Sequence, residues 1–145
     1  MTITAEMKTA LDLIENTKQP VYITGKAGTG KTTLLRYIVS SIKKRFVITA
    51  STGIAAVNAG GTTLHSLLHI PFGCLNESTN MGGLPPNKVK LINSIDAIII
   101  DEISMVRPDV LDFIDRKLRA YRVCDKPFGG LQIIMFGDLY QLPPV

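Results

Sequence analysis

Gly25-Lys26-Ala27-Gly28-Thr29-Gly30-Lys31-Thr32, set directly after the apolar run Val21-Tyr22-Ile23, decides how the rest of the chain is read. The eight residues fit G-x-x-x-x-G-K-[ST], the pattern of a phosphate-binding loop between a strand and a helix. Phosphates need many donors and little side-chain bulk, so Gly25, Gly28 and Gly30 let backbone N–H groups approach the anion closely. The helix that follows turns its positive N-terminus toward the same charge. Lys31 is expected to reach the β- and γ-phosphates, and Thr32 to offer its hydroxyl to magnesium. The predicted nucleotide-binding set is Gly25, Lys26, Ala27, Gly28, Thr29, Gly30, Lys31, Thr32 and Thr33, with ATP and Mg²⁺ as the cofactors. A flexible hairpin of glycines and lysines would not need the strand before and the helix after, and both are readable.

Working outward, Met7, Ala10, Leu11 and Ile14 repeat at helical spacing, with Thr4 as the expected cap and an end near Asn16. The strand at 21–24 then feeds the loop. A helix over 32–44 is predicted to bury Leu34, Leu35, Ile38 and Ile42 and to end in Lys43-Lys44-Arg45, whose charges suit its negative pole. Phe46-Val47-Ile48-Thr49-Ala50 reads as a strand buried on both faces. Ser51-Thr52-Gly53 opens a short helix, 58–61 turns the chain, and Thr62-Thr63 starts another helix through Leu68. Two neighbouring helix starts point to an anion-facing surface. A loop or small insertion is expected over about 71–90, where Gly82-Gly83 and Pro85-Pro86 punctuate the sequence.

Asp96-Ala97-Ile98-Ile99-Ile100-Asp101-Glu102 is an apolar strand ending in two carboxylates. Ligands of open α/β sheets bind beyond the carboxyl ends of the strands, so both acids should converge on the phosphate loop. Strand alternation would turn them to opposite faces, giving one to magnesium and one to the attacking water. Pro108 starts a helix with Leu111, Ile114, Leu118 and Tyr121 as its buried stripe, while Asp112 with Arg116 and Asp115 with Arg119 form a solvated face. After a turn at 127–130, a fourth strand at 131–136 leads into Gly137-Asp138-Leu139-Tyr140-Gln141, placing Asp138 and Gln141 at the same sheet edge.

The chain of 145 residues suits one domain, and its 46% hydrophobic and 19% charged residues fit buried parallel strands. Sixteen basic residues against twelve acidic ones leave a net charge of +4, compatible with a polyanion partner without demanding one. No apolar run approaches the roughly 20 residues that cross a bilayer, and the N-terminus lacks a signal pattern, so no membrane partner and a cytoplasmic location are expected, nucleoid-associated in a bacterium. Cys74 and Cys124 lack metal-ligand spacing and read as reduced, partly buried thiols.

The chain resembles the first RecA-like domain of a superfamily-one DNA helicase, most closely the Pif-one family. The resemblance rests on the phosphate loop, on Ser51-Thr52-Gly53-Ile54-Ala55-Ala56 with Gly60-Gly61-Thr62-Thr63-Leu64-His65-Ser66, on Asp101-Glu102-Ile103-Ser104-Met105, on Pro127-Phe128-Gly129-Gly130, and on Gly137-Asp138-Leu139-Tyr140-Gln141-Leu142-Pro143-Pro144-Val145. It implies that Lys31 binds phosphate, that Thr32 and Asp101 hold magnesium, that Glu102 orients and deprotonates water, and that Gln141 senses the γ-phosphate. Lys31, Glu102 and Gln141 are thus the expected catalytic residues. It places single-stranded DNA on Thr52, Gly53, Thr63 and His65, with Phe72 at the start of the insertion as a residue for base stacking or duplex splitting. His65 as a half-buried histidine and Phe72 as core packing are the competing readings. Family members commonly have Pro where Ser51 stands, and an adenine-reading glutamine where the leading helix has Glu6 and Lys8.

The implied fold is a three-layer α/β P-loop domain of RecA-like type, with a mainly parallel sheet in the spatial order first, fourth, third, second strand. Residues 1–145 are read as the N-terminal RecA-like ATP-binding domain of a helicase. The second RecA-like domain, with its arginine finger, is expected to be missing as a partner. The implied function is magnesium-dependent ATP hydrolysis driving 5′-to-3′ movement on single-stranded DNA, with forked duplex as the unwinding substrate. A P-loop small-molecule kinase and a non-motor nucleotide-binding regulatory module are the alternatives.

Overall fold

In a computed structural model, which describes residues 5–25 and 30–138, five strands form one parallel sheet. The order of elements is α1 (Ala5–Asn16), β1 (Val21–Gly25), α2 (Lys31–Ser41), β2 (Phe46–Ala50), α3 (Gly53–Ala59), β3 (Thr62–Thr63), α4 (Leu64–Leu68), α5 (Pro86–Ser94), β4 (Ala97–Asp101), α6 (Pro108–Tyr121) and β5 (Gln132–Asp138). Single 3₁₀ turns sit at Ile103–Met105 and Pro127–Gly130. The sheet runs β1-β5-β4-β2-β3, so the four expected strands lie in the expected order. A fifth was not foreseen. Thr62 and Thr63, read as a helix start, pair first with Thr49 and Ala50 as a short edge strand.

Helices cover both faces. On one, α1 and α2 bring Ile14, Leu34, Leu35 and Ile38 against Ala97, Ile99, Ile134 and Phe136. On the other, α4, α5 and α6 bring Leu67, Leu68, Ile92, Phe113 and Ile114 against Ile98, Ile100 and Ile133. The strand pleat explains the division, since alternate residues of β4 and β5 face opposite layers. Gly61 has to be glycine, because a Cβ there would collide with the Ile48 carbonyl.

Several local expectations are corrected. Helix α2 stops at Ser41, so Lys43, Lys44 and Arg45 lie beyond it. Lys44 Nζ instead donates to Thr17 O and Gln132 Oε1, both at 2.8 Å, and the Arg45 N–H donates to Asp96 Oδ2 at 2.8 Å. These long-range acceptors outcompete the weak field of a helix end. The buried stripe of α6 is Val110, Phe113, Ile114, Lys117 and Leu118, while Leu111 and Tyr121 are half-buried. The acidic and basic face of α6 is not merely solvated. Asp115 Oδ1 accepts from both Arg119 Nε at 2.9 Å and the Phe128 N–H at 2.6 Å, fastening the 127–130 turn to the helix. Arg116 and Asp112 are a looser pair at 4.0 Å. Segment 71–85 has no regular element, and α5 begins at Pro86, within the stretch read as insertion. Cys74 is exposed rather than partly buried. Thr4 lies outside the described residues.

Segment 69–85 is held against α6 largely through its own backbone. The Leu75 N–H donates to Asp109 Oδ2 at 3.0 Å, Arg116 donates to Asn76 O at 3.0 Å, and Tyr121 Oη donates to Gly82 O at 3.0 Å. The fully buried Lys117 donates to His69 O and Gly83 O, both at 3.3 Å, and sits over the Phe113 ring. Burial pushes the Lys117 ammonium below the ordinary lysine range. The hydrogen bond from Leu75, with Arg107 adding to it, holds the Asp109 carboxyl below the ordinary carboxylate range.

Candidate nucleotide and DNA-binding sites

All strands run the same way, so their carboxyl ends gather at one edge of the sheet. Gly25 at the end of β1 pairs in register with Asp138 at the end of β5, and Ala50 at the end of β2 pairs with Asp101 at the end of β4. Gly25, Asp101 and Asp138 therefore stand at the same edge of the sheet. Lys26, Ala27, Gly28 and Thr29 lie outside the described residues, as does Gln141. Gly30 is described: it caps α2 with φ 85°, a left-handed conformation in which any other L residue is strained. Its carbonyl accepts from the Leu34 N–H at 2.9 Å, the first turn of a helix whose opening residues are Lys31, Thr32 and Thr33.

Lys31 does not extend into solvent. Its Nζ donates to the Gly137 carbonyl at 3.0 Å, near the end of β5. Thr32 and Thr33 are exposed on the same first turn. Asp101 and Glu102 are half-buried, and Asp101 Oδ1 accepts from the Glu102 N–H at 3.0 Å. The expected alternation of the two acids to opposite faces does not apply, because β4 ends at Asp101. Glu102 lies beyond β4 with φ 54° and ψ 53°, so a left-handed kink re-aims it. Such a residue in αL other than glycine is uncommon and concentrates at functional sites. Thr32 and Asp101 supply the hydroxyl and carboxylate oxygens that a small hard cation such as Mg²⁺ takes.

A cavity of about 320 Å³ opens beside the loop, lined by Glu6, Met7 and Ala10 of α1, Tyr22 of β1, and Gly30 and Lys31. Helix α1 thus reaches the site with Glu6 but not with Lys8. Gln19 belongs elsewhere: its carbonyl accepts from Gln132 at the opposite, amino-terminal edge of the sheet. Tyr22, which lines this cavity, reads in the sequence as an ordinary strand aromatic.

The residues read as DNA-facing gather at the far end of the same edge, around β2 and β3. Thr52 caps α3 by accepting from the Ala55 N–H at 3.3 Å, and Thr63 caps α4 by accepting from the Ser66 N–H at 3.1 Å. Their hydroxyl oxygens serve the fold as well as any ligand. Gly53 is exposed at the start of α3, and a Cβ added there would meet nothing within 4 Å. Nothing within the described fold requires glycine at this position. His65 stacks on Phe72 with ring centroids 5.2 Å apart and planes 7° apart. Burial, with a contribution from the Arg107 charge, lowers the His65 pKa below the ordinary histidine value. Phe72 is 89% exposed, which removes core packing as its reading. Arg107, beside this pair, carried no signal in the sequence.

Among the described residues no cluster of three or more His, Cys, Asp or Glu forms a metal site, and no helix is long and apolar enough to cross a membrane. The sequence matches the PIF1-like helicase family over residues 2–145. It is 39% identical over 150 residues to the ATP-dependent DNA helicase RRM3 of Saccharomyces cerevisiae, with 99% of this chain and 21% of that protein covered. It is 44% identical over 130 residues to human ATP-dependent DNA helicase PIF1, covering 88% of this chain and 20% of that one. A Bacteroides Pif1 helicase solved with ADP-AlF3 and single-stranded DNA superposes with a TM-score of 0.92 at 53% identity, over all of this chain and 34% of that one. The chain thus spans about a fifth of the length of these two relatives and about a third of the solved helicase. With a match along almost its whole length, the chain belongs to the PIF1-like helicase family.

Proposed function

We propose that this domain binds ATP with Mg²⁺ and that the whole protein uses hydrolysis to move 5′ to 3′ along single-stranded DNA and to open forked duplex. The observation that carries the reading is the contact from Lys31 to Gly137, which brings the loop lysine to the strand end that leads into Asp138 and on to Gln141. The solved Bacteroides relative, with its nucleotide analogue and single-stranded DNA, supports pairing the two ligands in one molecule.

Each side chain has a chemical task. The backbone of 25–30 and the N-terminus of α2 receive the phosphates, and Lys31 neutralises charge between them. Thr32 and Asp101 hold Mg²⁺, which supplies charge neutralisation to the phosphoryl group. The Glu102 carboxylate orients water and accepts its proton, while Gln141 reports the γ-phosphate to the DNA side. DNA crosses Thr52, Gly53, Thr63 and His65, held mainly through phosphates and hence salt-sensitive.

Sheet order gives these sites a physical connection. The nucleotide side hangs on β1 and β5, the DNA side on β2 and β3, and β4 with its acids lies between. DNA-stimulated ATP turnover by the whole protein tests the reading: stimulation that vanishes in Glu102→Gln fits a motor. Unstimulated binding without turnover would indicate a regulatory module, and phosphoryl transfer to a small acceptor would indicate a kinase.

A further inference from the structure

A cavity of about 260 Å³ lies behind the His65–Phe72 pair, and its wall contains a polar group that the fold leaves unused. Ser51, the first residue after β2, lines this cavity, and its Oγ is buried without a hydrogen-bond partner among the described residues. Buried hydroxyls are rarely left so, because nothing replaces the water they give up. Leu64 and Val106 are buried apolar walls of the same space. At its mouth stand Phe72 and Met105, 89% and 59% exposed, an unusual display of large apolar side chains at one opening.

Arg107 completes the arrangement. It lines the cavity, pairs with Asp109 at 3.1 Å and donates to the Gly73 carbonyl, so its guanidinium is fixed beside the opening while half-exposed. One concavity therefore offers flat apolar cover, a buried hydroxyl and an external cation. A nucleotide presents the matching parts in the same succession: a planar base, a polar base edge and a phosphate.

We propose that this cavity is a subsite for one nucleobase of the bound single strand, inserted past Phe72 and Met105 so that its polar edge meets the Ser51 hydroxyl while a neighbouring phosphate lies on Arg107. The proposal rests on the reading that the strand crosses Thr52, Thr63 and His65. A hydroxyl both donates and accepts, so it pairs with any base edge and the subsite tolerates any sequence.

The test is equilibrium binding of the whole protein, at one fixed salt concentration, to a labelled oligothymidylate and to a strand of equal length made of abasic residues. Ser51→Ala is expected to weaken the thymidylate strand about five- to tenfold, the size of one hydrogen bond. Phe72→Ala is expected to weaken it roughly tenfold or more through lost stacking. Neither substitution should change affinity for the abasic strand, whose contacts are to phosphate alone. If the parent protein binds neither strand, the DNA face itself is wrong. If it binds both and the two variants match it on thymidylate, the face stands and the subsite falls. Equal weakening of both strands by Ser51→Ala would assign that residue a structural role and also overturn the subsite. So would competition by free thymidine monophosphate combined with no distinction between the strands, which would give the cavity to a free nucleotide.

Discussion

Replacing Lys31 by Met removes an ammonium while keeping most of the apolar stem, and the structure sets the size of the effect. To reach a phosphate, Nζ has to give up the Gly137 carbonyl it holds at 3.0 Å. A hydrogen bond between a charged and a neutral group contributes about 1.5 kcal/mol at the low end. Hydrogen bonds to charged groups reach about 3 kcal/mol at the high end, where a contact between ammonium and phosphate belongs. The lysine therefore contributes the difference, about 1.5 kcal/mol, to nucleotide affinity, or about a 12-fold rise in Kd on substitution. Without nucleotide the same substitution loses the Gly137 bond. A net loss of about 1 kcal/mol would lower Tm by about 2–4 °C in a protein of this size. Titration with a fluorescent ATP analogue and a thermal melt measure the two halves separately. A Kd within twofold of the parent would refute the phosphate assignment, and an unchanged Tm would refute the exchange between carbonyl and phosphate.

Glu102→Gln in the whole protein should retain ATP binding and abolish turnover, because an amide does not accept the proton of water; turnover at the parent rate would remove Glu102 from that role. Asp101→Asn should instead weaken nucleotide binding only when Mg²⁺ is present, and equal loss with EDTA would show that the carboxylate serves the fold. Gln132→Leu should cost about 2–4 kcal/mol in chemical denaturation, since the buried amide donates to Leu13 O at 3.2 Å and Gln19 O at 2.9 Å and accepts from Lys44, and a loss under about 0.5 kcal/mol would mean water replaces it. His65 supplies a pH test. Its folded pKa is below the ordinary histidine value of about 6.5, so as pH falls past that value the unfolded chain takes up the proton first and stability declines. His65→Phe should flatten that decline and keep the stack on Phe72; an identical acid limb in parent and variant would discard the assignment.

Local patterns made the phosphate loop, four strands and most helices legible. A strand buried on both faces reads as a continuous apolar run, and a loop that cradles phosphate needs its glycines and lysine at fixed spacing. Both requirements sit within a few neighbouring residues. The same holds for the acids after β4, whose position is plain in the sequence, whereas the left-handed turn that re-aims Glu102 is not. No propensity marks a glutamate for αL, so no short stretch announces the turn.

Contacts between distant residues were decided by the tertiary structure alone. Lys31 meets Gly137 only because β1 and β5 pair in register, although 106 positions separate the two residues. Lys117 looks like one more charge on an exposed helix face, yet it is fully buried because segment 69–85 folds over α6 and presents the carbonyls of His69 and Gly83. Thr62 and Thr63 carry a helix-capping signal, which Thr63 fulfils, but the unpaired edge of β2 also recruits them as a strand. The cavity at Ser51 has no signature at all, since its walls come from the residue after β2, α4, the loop after it, the turn after β4 and the start of α6. The sequence by itself determined which chemistry the chain can carry, because that chemistry needs particular groups at short spacing. Where those groups meet depends on strand order and on which loop covers which helix, and these are set by the sum of many nonlocal contacts that no short stretch encodes.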